Sequence, residues 1–195
     1  MTSGITVTSP NTNVTWAAGS RRTVTWNHNY AADQIFNVDV STNNGASWTT
    51  VAAGQFPTSS VTIFMPMTLT TQALVRVSPL GSPADGDVSN VPFTLAVPTV
   101  TVTAPNTNVS WPIGANRNIT WSHNLGDLES VRLEVSRDGG TTWELITAGV
   151  VNTNNANGSF SWTVTGPATT TARIRVTWTQ NSATTDDSNT NFGVQ

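Results

Sequence analysis

The chain has no cysteine and no lysine. The first absence excludes disulfides and thiolate metal sites, and it leaves the redox compartment unreadable. The second makes every one of the Lys/Arg class an arginine, a bias with no evident physical reason. Charge of either sign is scarce: charged residues are 10% of the chain, against roughly 25% in ordinary soluble proteins. A net charge of −3 provides no basic stripe, which argues against nucleic acid and anionic membranes as partners. No apolar run approaches the length of a membrane span. MTSGITVTSP lacks the basic start and apolar core of a signal peptide, so the expectation is either an excised piece of a secreted protein or export by another route, the Thr/Asn-rich, Cys-free, β-patterned composition favouring the first. No capped apolar helix pattern occurs either.

What fills the sequence instead is Thr, Asn and Ser, arranged as one unit written twice. ITVTSPNTNVTWAAGSRRTVTWNHN (5–29) aligns with VTVTAPNTNVSWPIGANRNITWSHN (100–124) without a gap, at an offset of 95. The pairs Trp16/Trp111, Trp26/Trp121, His28/His123 and Trp48/Trp143 keep that offset. A short insertion then moves it to 99, where ALVRV (73–77) meets ARIRV (172–176) and DVSNVPF (87–93) meets DDSNTNF (186–192). Two domains are expected, 1–97 and 98–195.

Both copies read as strands. RRTVTWN and NRNITWS alternate with period two, as does VRLEVS (131–136), where Val131, Leu133 and Val135 point inward while Arg132 and Glu134 face water. Gly-, Pro- and Asn-rich turns separate these runs. About seven short strands per copy fit an all-β fold, two tandem antiparallel immunoglobulin-like or fibronectin-III-like sandwiches. The immunoglobulin Cys…Trp…Cys signature is missing, which favours the fibronectin-like variant. Between the last strand of copy one and the first of copy two stand only Pro98 and Thr99, so a stiff, end-to-end pair is expected.

Order and spacing of the motifs carry a resemblance. P-N-x-N-V-x-W-x-x-G, an I/V-T-W strand, S-x-D-G-G-x-T-W, S-F-S-W-T-V, R-I-R-V and D-x-S-N-x-x-F run through the unit. The chain resembles the Ser/Thr-rich, GPI-anchored membrane protein family, the immunoglobulin-like domain named after yeast cell-wall glucan-synthesis proteins, whose relatives recur in tandem in bacterial secreted and surface proteins. The resemblance implies a non-catalytic, extracellular β-sandwich used for cell-wall association, adhesion or spacing, with no catalytic residue to carry over. Copy one departs from the pattern at Asn43 and Asn44, where copy two has Asp138 and Gly139. The yeast proteins' Ser/Thr-rich tail and lipid-anchor signal are absent from these residues.

SRDGGTTW (136–143) also fits S-x-D-x-G-x-T-W, the Asp-box often met in sialidases, through Ser136, Asp138, Gly140, Thr142 and Trp143. STNNGASW (41–48) repeats it with Ser41, Asn43, Gly45 and Trp48. Each residue has a structural task. Asp or Asn accepts hydrogen bonds from loose backbone N–H groups, Gly takes a positive φ, and Trp folds over the hairpin. Glycosidic cleavage requires two acidic groups across the bond, or a Tyr nucleophile with its partners. Only three Glu and one Tyr exist, and Tyr30 faces Leu125 in the alignment. A structural turn is the expectation.

Other candidates are sparse. His28 and His123 fall one per domain, which argues against a shared metal site or a catalytic dyad. Asp87 and Asp186 align before the last strand, and they are the best candidate ligands for a calcium ion, which takes about six to eight oxygens. Too few carboxylates accompany them for a dedicated cage. The Trp residues present in both copies, and Trp162 opposite Ile63, read as core. Trp178, aligned with Pro79, ends a strand and is the candidate sugar platform, the Tyr30 loop being the other candidate. Asn13, Asn108, Asn118 and Asn157 open N-x-S/T triplets. The leading expectation is a structural or interaction module of a surface or secreted protein, partnered by neighbouring domains or by copies of itself. A glycan-binding or adhesive accessory module attached to a secreted enzyme, with cell-wall glycan as partner, is the alternative. An enzyme in its own right is not expected.

Overall fold

The computed structural model describes residues 4–55 and 59–195. The chain divides into two compact units, Met1–Val97 and Pro98–Gln195. Unit 1 contains β1 (Ile5–Ser9), β2 (Thr15–Ala17), β3 (Arg21–His28), β4 (Phe36–Ser41), β5 (Thr49–Gln55), β6 (Ser60–Phe64), β7 (Thr70–Pro79), β8 (Asp87–Val88) and β9 (Phe93–Ala96). Unit 2 contains β10 (Val100–Ala104), β11 (Ser110–Trp111), β12 (Asn116–His123), β13 (Ser130–Ser136), β14 (Glu144–Val151), β15 (Asn157–Thr163), β16 (Thr169–Trp178), β17 (Thr185–Asp187) and β18 (Phe192–Val194).

Each unit is a β-sandwich. In unit 1 one sheet has the order β1-β3-β6, and the other runs β2-β9-β7-β4-β5 with β8 on β7. Unit 2 repeats this as β10-β12-β15 and β11-β18-β16-β13-β14, with β17 on β16. Strand β2 runs parallel to β9 and β11 to β18, while the long pairs β4–β7 and β13–β16 are antiparallel. The fold is therefore all-β, two sandwiches of immunoglobulin or fibronectin-III type. Alternation along the strands sets which face is buried. On β13, Val131, Leu133 and Val135 are 0–2% exposed and Arg132 lies outside.

Each unit buries one tryptophan in the same place of its core, Trp26 on β3 and Trp121 on β12. Trp26 and Trp121 are both 1% exposed. Removing an indole of this size from water contributes about 4–6 kcal/mol before ordering entropy is counted. Trp16 and Trp111 pack on Phe93 and Phe192 with the same geometry, 5.1 Å between centroids at 55° in both units. Trp162 is 5% exposed, as is its counterpart Ile63.

One core exchange between the units is reciprocal. Phe36 stands opposite Pro79 across β4 and β7, and Val131 stands opposite Trp178 across β13 and β16. The bulky partner has moved from one strand to the other at the same layer.

Trp121 also explains a glycine. A Cβ at Gly158 of β15 would collide with the indole atoms Cε2, Cζ2 and Nε1 of Trp121. Trp121 donates its Nε1–H to Asn152 Oδ1 at 3.0 Å, so the ring is held there. Gly158→Ala is expected to lower the stability of unit 2 by about 1–3 kcal/mol, read as a reduced urea midpoint. Gly149→Ala on β14 meets open space and should shift it by no more than about 0.5 kcal/mol.

Candidate functional site

The hairpin turns come first, because they carry the most specific motif. In unit 2 the Gly140 N–H donates to Ser136 Oγ at 2.7 Å, and the Ser136 hydroxyl donates to Asp138 Oδ1 at 2.8 Å. Asp138 Oδ1 also accepts the N–H groups of Thr141 and Thr142 at 3.0 and 2.8 Å, and Oδ2 accepts the Thr142 hydroxyl at 2.6 Å. The bond from the Thr142 hydroxyl, then those from the Thr142 N–H and Ser136, hold the Asp138 carboxyl at about 2, below its ordinary 3.8. Unit 1 builds the same turn on an amide. Asn43 Oδ1 accepts the Ser47 N–H at 2.9 Å, and Asn43 Nδ2 donates to Ser47 Oγ at 2.8 Å. Positive φ falls on Asn44 and Gly45 in one turn and on Gly139 and Gly140 in the other. Asn tolerates the left-handed region better than most residues, so Asn44 can stand where unit 2 has glycine.

Above each turn an arginine covers the tryptophan. Arg76 lies 4.5 Å from the Trp48 ring centroid and Arg175 lies 3.9 Å from that of Trp143. Arg76 is fixed by Asp39 on β4, with Arg76 Nη2 2.8 Å from Asp39 Oδ2. Arg175 pairs with Asp187 on β17 through two bonds of 2.6 and 2.8 Å. The hydrogen bonds to Asp187 raise the pKa of Arg175 above its ordinary value. Neither indole therefore offers both faces to a ligand. Sequence reasoning missed this pairing, although Arg76 and Arg175 align and occupy outward positions of their strands.

A groove in unit 2 has a volume of about 550 Å³ and lies on the outer face of β13, β14 and β16, lined by Arg132, Glu134, Leu145, Arg175, Thr177 and Thr185 among others. Within it the Glu134 carboxylate is engaged by Arg132 at 2.6 Å. Trp178 borders the groove but does not face it. The side chain is 1% exposed, and its Nε1–H donates to Oε2 of the fully buried Glu129 at 2.8 Å. The expected sugar platform is thus a core residue, because Val131 opposite leaves the space its indole fills. Tyr30 is half-buried and stands edge-on to Phe36, 5.9 Å between centroids.

Asp87 and Asp186 occupy matching places. Their Oδ2 atoms accept the N–H of Val7 and of Val102, both at 2.7 Å. These N–H groups sit where β1 and β10 slip register, between Val7/Ser9 and between Val102/Ala104. Each candidate calcium ligand is thereby engaged by backbone, and no cluster of three or more His, Cys, Asp or Glu gathers among the described residues. The two histidines differ. His123 Nδ1 accepts the Leu125 N–H at 3.1 Å at the end of β12. His28 lies 4.7 Å from the Phe36 ring, and its buried Nδ1 has no hydrogen-bond partner among the described residues.

No family model matches the chain, and no curated protein matches it. Several solved structures are similar in fold. Fibronectin(III)-like modules of Clostridium thermocellum CbhA are 17% identical, with 97% of this chain and 92% of that one covered at a TM-score of 0.32. A chimeric titin Z1Z2 is 13% identical, with coverage of 100% and 98% and a TM-score of 0.39. A tetra-tandem repeat from the extending region of a large adhesion protein is 14% identical, with coverage of 98% and 48% and a TM-score of 0.37. Likeness at this level carries nothing about activity.

Substitutions at two positions check the site geometry. A carboxyl held below its ordinary value stabilises the fold above about pH 4, and the effect is lost as pH falls toward about 2. Protection of the Gly140 and Thr142 amides, relative to their intrinsic exchange at each pH, should therefore fall between those values in unit 2, while that of the Asn43 turn in unit 1 stays unchanged. Asp138→Asn should remove that acid dependence. Asp186→Ala leaves the Val102 N–H unpaired and is expected to destabilise unit 2 by about 1–3 kcal/mol in thermal or urea unfolding, with Asp186→Asn restoring most of the loss.

Proposed function

We propose that this chain is a non-catalytic extracellular module, a pair of sandwiches serving as spacer, stalk or assembly unit of a surface or secreted protein. The boundary between its two folding units is placed at 97/98. The observation that carries this reading is the fate of the chemistry-bearing residues. Ser136, Asp138, Asp87, Asp186 and Asp187 bond to backbone or to arginine inside their own unit, and most of these bonds occur in duplicate. Immunoglobulin- and fibronectin-like modules are generally structural or interaction domains. The hairpins are read as Asp-boxes in a purely structural role, as the resemblance to the cell-wall family would have them.

The glycan-binding alternative would rest on the groove over β13, β14 and β16. Its hydroxyl lining suits a sugar, but its one aromatic lining residue, Trp178, is buried, so a ring there has no indole face to stack on.

Labelling of intact cells of the producing organism with antibody to the module tests the location; signal is expected without lysis, and signal only after lysis would count against it. Incubation with sialoside and glucan substrates tests the rest. Any turnover that disappears in Asp138→Asn or Glu134→Gln would overturn the non-catalytic reading.

A further inference from the structure

A sandwich has sheet edges, and each edge presents a row of unpaired N–H and C=O groups to any strand that can reach it. In unit 2 most of these edges are blocked. Strand β10 breaks register at Val102/Ala104, and Asp186 occupies the Val102 N–H. Strand β14 slips register against β13 twice, between Val131/Leu133 and between Leu133/Glu134. Bulges of this kind twist an edge away from a would-be partner. Strand β11 is two residues long.

Strand β15 carries none of these devices. It pairs with β12 in unbroken register from Asn116↔Thr163 to Ser122↔Asn157, and it is the last strand of its sheet. It contains no proline, and the chain has no charged residue between Glu144 and Arg173. The bonds His123 N–H to Ala156 O and Val164 N–H to Ala115 O bracket the ladder. By the two-residue period of an antiparallel pair, Gly158, Phe160 and Trp162 turn their backbone groups toward β12. Ser159, Ser161 and Thr163 turn theirs outward, and all three are exposed.

We infer that the free edge of β15 is an interaction edge, and that its partner is β15 of a second copy of this chain, added antiparallel about a two-fold axis at Ser161. The inference rests on the reading of the chain as an assembly module. In this register Ser161 faces Ser161 of the other copy, and Ser159 faces Thr163, so every outward backbone group from Ser159 to Thr163 is paired. The exposed sheet face gains a row of facing hydroxyls, and cross-strand Ser and Thr pairs are favourable. On the inner face the half-buried Phe160 meets Trp162 of the partner strand. A second copy is favoured over a charged partner because the strand is neutral throughout. The nearest charge, Arg117 on β12, would stand three strand spacings from its mate, roughly 14 Å, beyond a Debye length of about 8–10 Å.

The absence of cysteine makes the test clean. In a hydrogen-bonded antiparallel pair the facing Cα atoms lie about 5.5 Å apart, within disulfide reach. Ser161→Cys is expected to form a covalent dimer under mild oxidation, whereas Ser159→Cys, displaced from the axis, should link far more slowly. Sedimentation of the unaltered chain should show a concentration-dependent dimer. Ser161→Pro removes only an outward N–H, so it should raise the dimer dissociation constant at least tenfold while circular dichroism stays unchanged. Ser161→Lys is the second variant, expected to act in the same direction should proline disturb folding. A monomer at all concentrations, equal linking of the two cysteine variants, or a ladder of larger species would overturn the two-fold β15 pairing. Those results leave the cell-labelling and turnover outcomes untouched, so the two readings fail separately.

Discussion

A backbone N–H taken out of water must find an acceptor, and at many bends and turns of this chain a side-chain oxygen supplies it. The pattern recurs at matching places in both units. Asn11 and Asn106 accept the N–H groups of Asn90 and Asn189. Asn29 and Asn124 accept those of Gly4 and Thr99. Ser89 and Ser188, both buried, accept the N–H of Val75 and of Ile174 from strands β7 and β16. Asp87 and Asp186 serve the register slips, and Asn43 and Asp138 serve the turns. This requirement accounts for the composition. A chain that closes its backbone with amides and hydroxyls needs many Asn, Ser and Thr and few charges.

Where the units differ, the acceptor role is kept and the charge is free to change. Asn43 and Asp138 gather the same kind of backbone bonds, but only the carboxylate makes its turn sensitive to acid. The arginine over each hairpin tryptophan is held by Asp39 on a neighbouring long strand in unit 1 and by Asp187 on a short added strand in unit 2. The core exchange works alike: Phe36 with Pro79 and Val131 with Trp178 fill one layer from opposite sides. Geometry is shared at each of these places, and chemistry is a local choice.

The duplicated strands, their inward faces and the turn residues were legible because each depends on local period or on spacing within one copy. Val131, Leu133 and Val135 needed only their alternation. Trp178 was not legible in that way. Its burial depends on the small residue facing it and on Glu129, which lies 49 residues upstream and reads in sequence as an ordinary loop acid. Asp87 and Asp186 align in sequence, but their partners lie 80 and 84 residues away on another sheet, beyond any motif. The Arg–Trp stacks joined a turn to a distant strand, and only the shared alignment of Arg76 with Arg175 pointed to them.

The acceptor requirement also bears on which surfaces stay open. A bulge protects an edge, yet it creates the very N–H that needs an acceptor, so protection and capping arise together at β1 with Asp87 and at β10 with Asp186. Strand β15 keeps unbroken register with β12, and a strand in unbroken register has no bulge to turn its edge aside. Its sheet thus ends in a straight, neutral edge whose outward N–H and C=O groups no other strand of that sheet reaches. Water can satisfy them, but a second strand satisfies them while also covering Phe160. The same physics that closes the rest of the fold on itself makes that edge the place where it remains open to another chain.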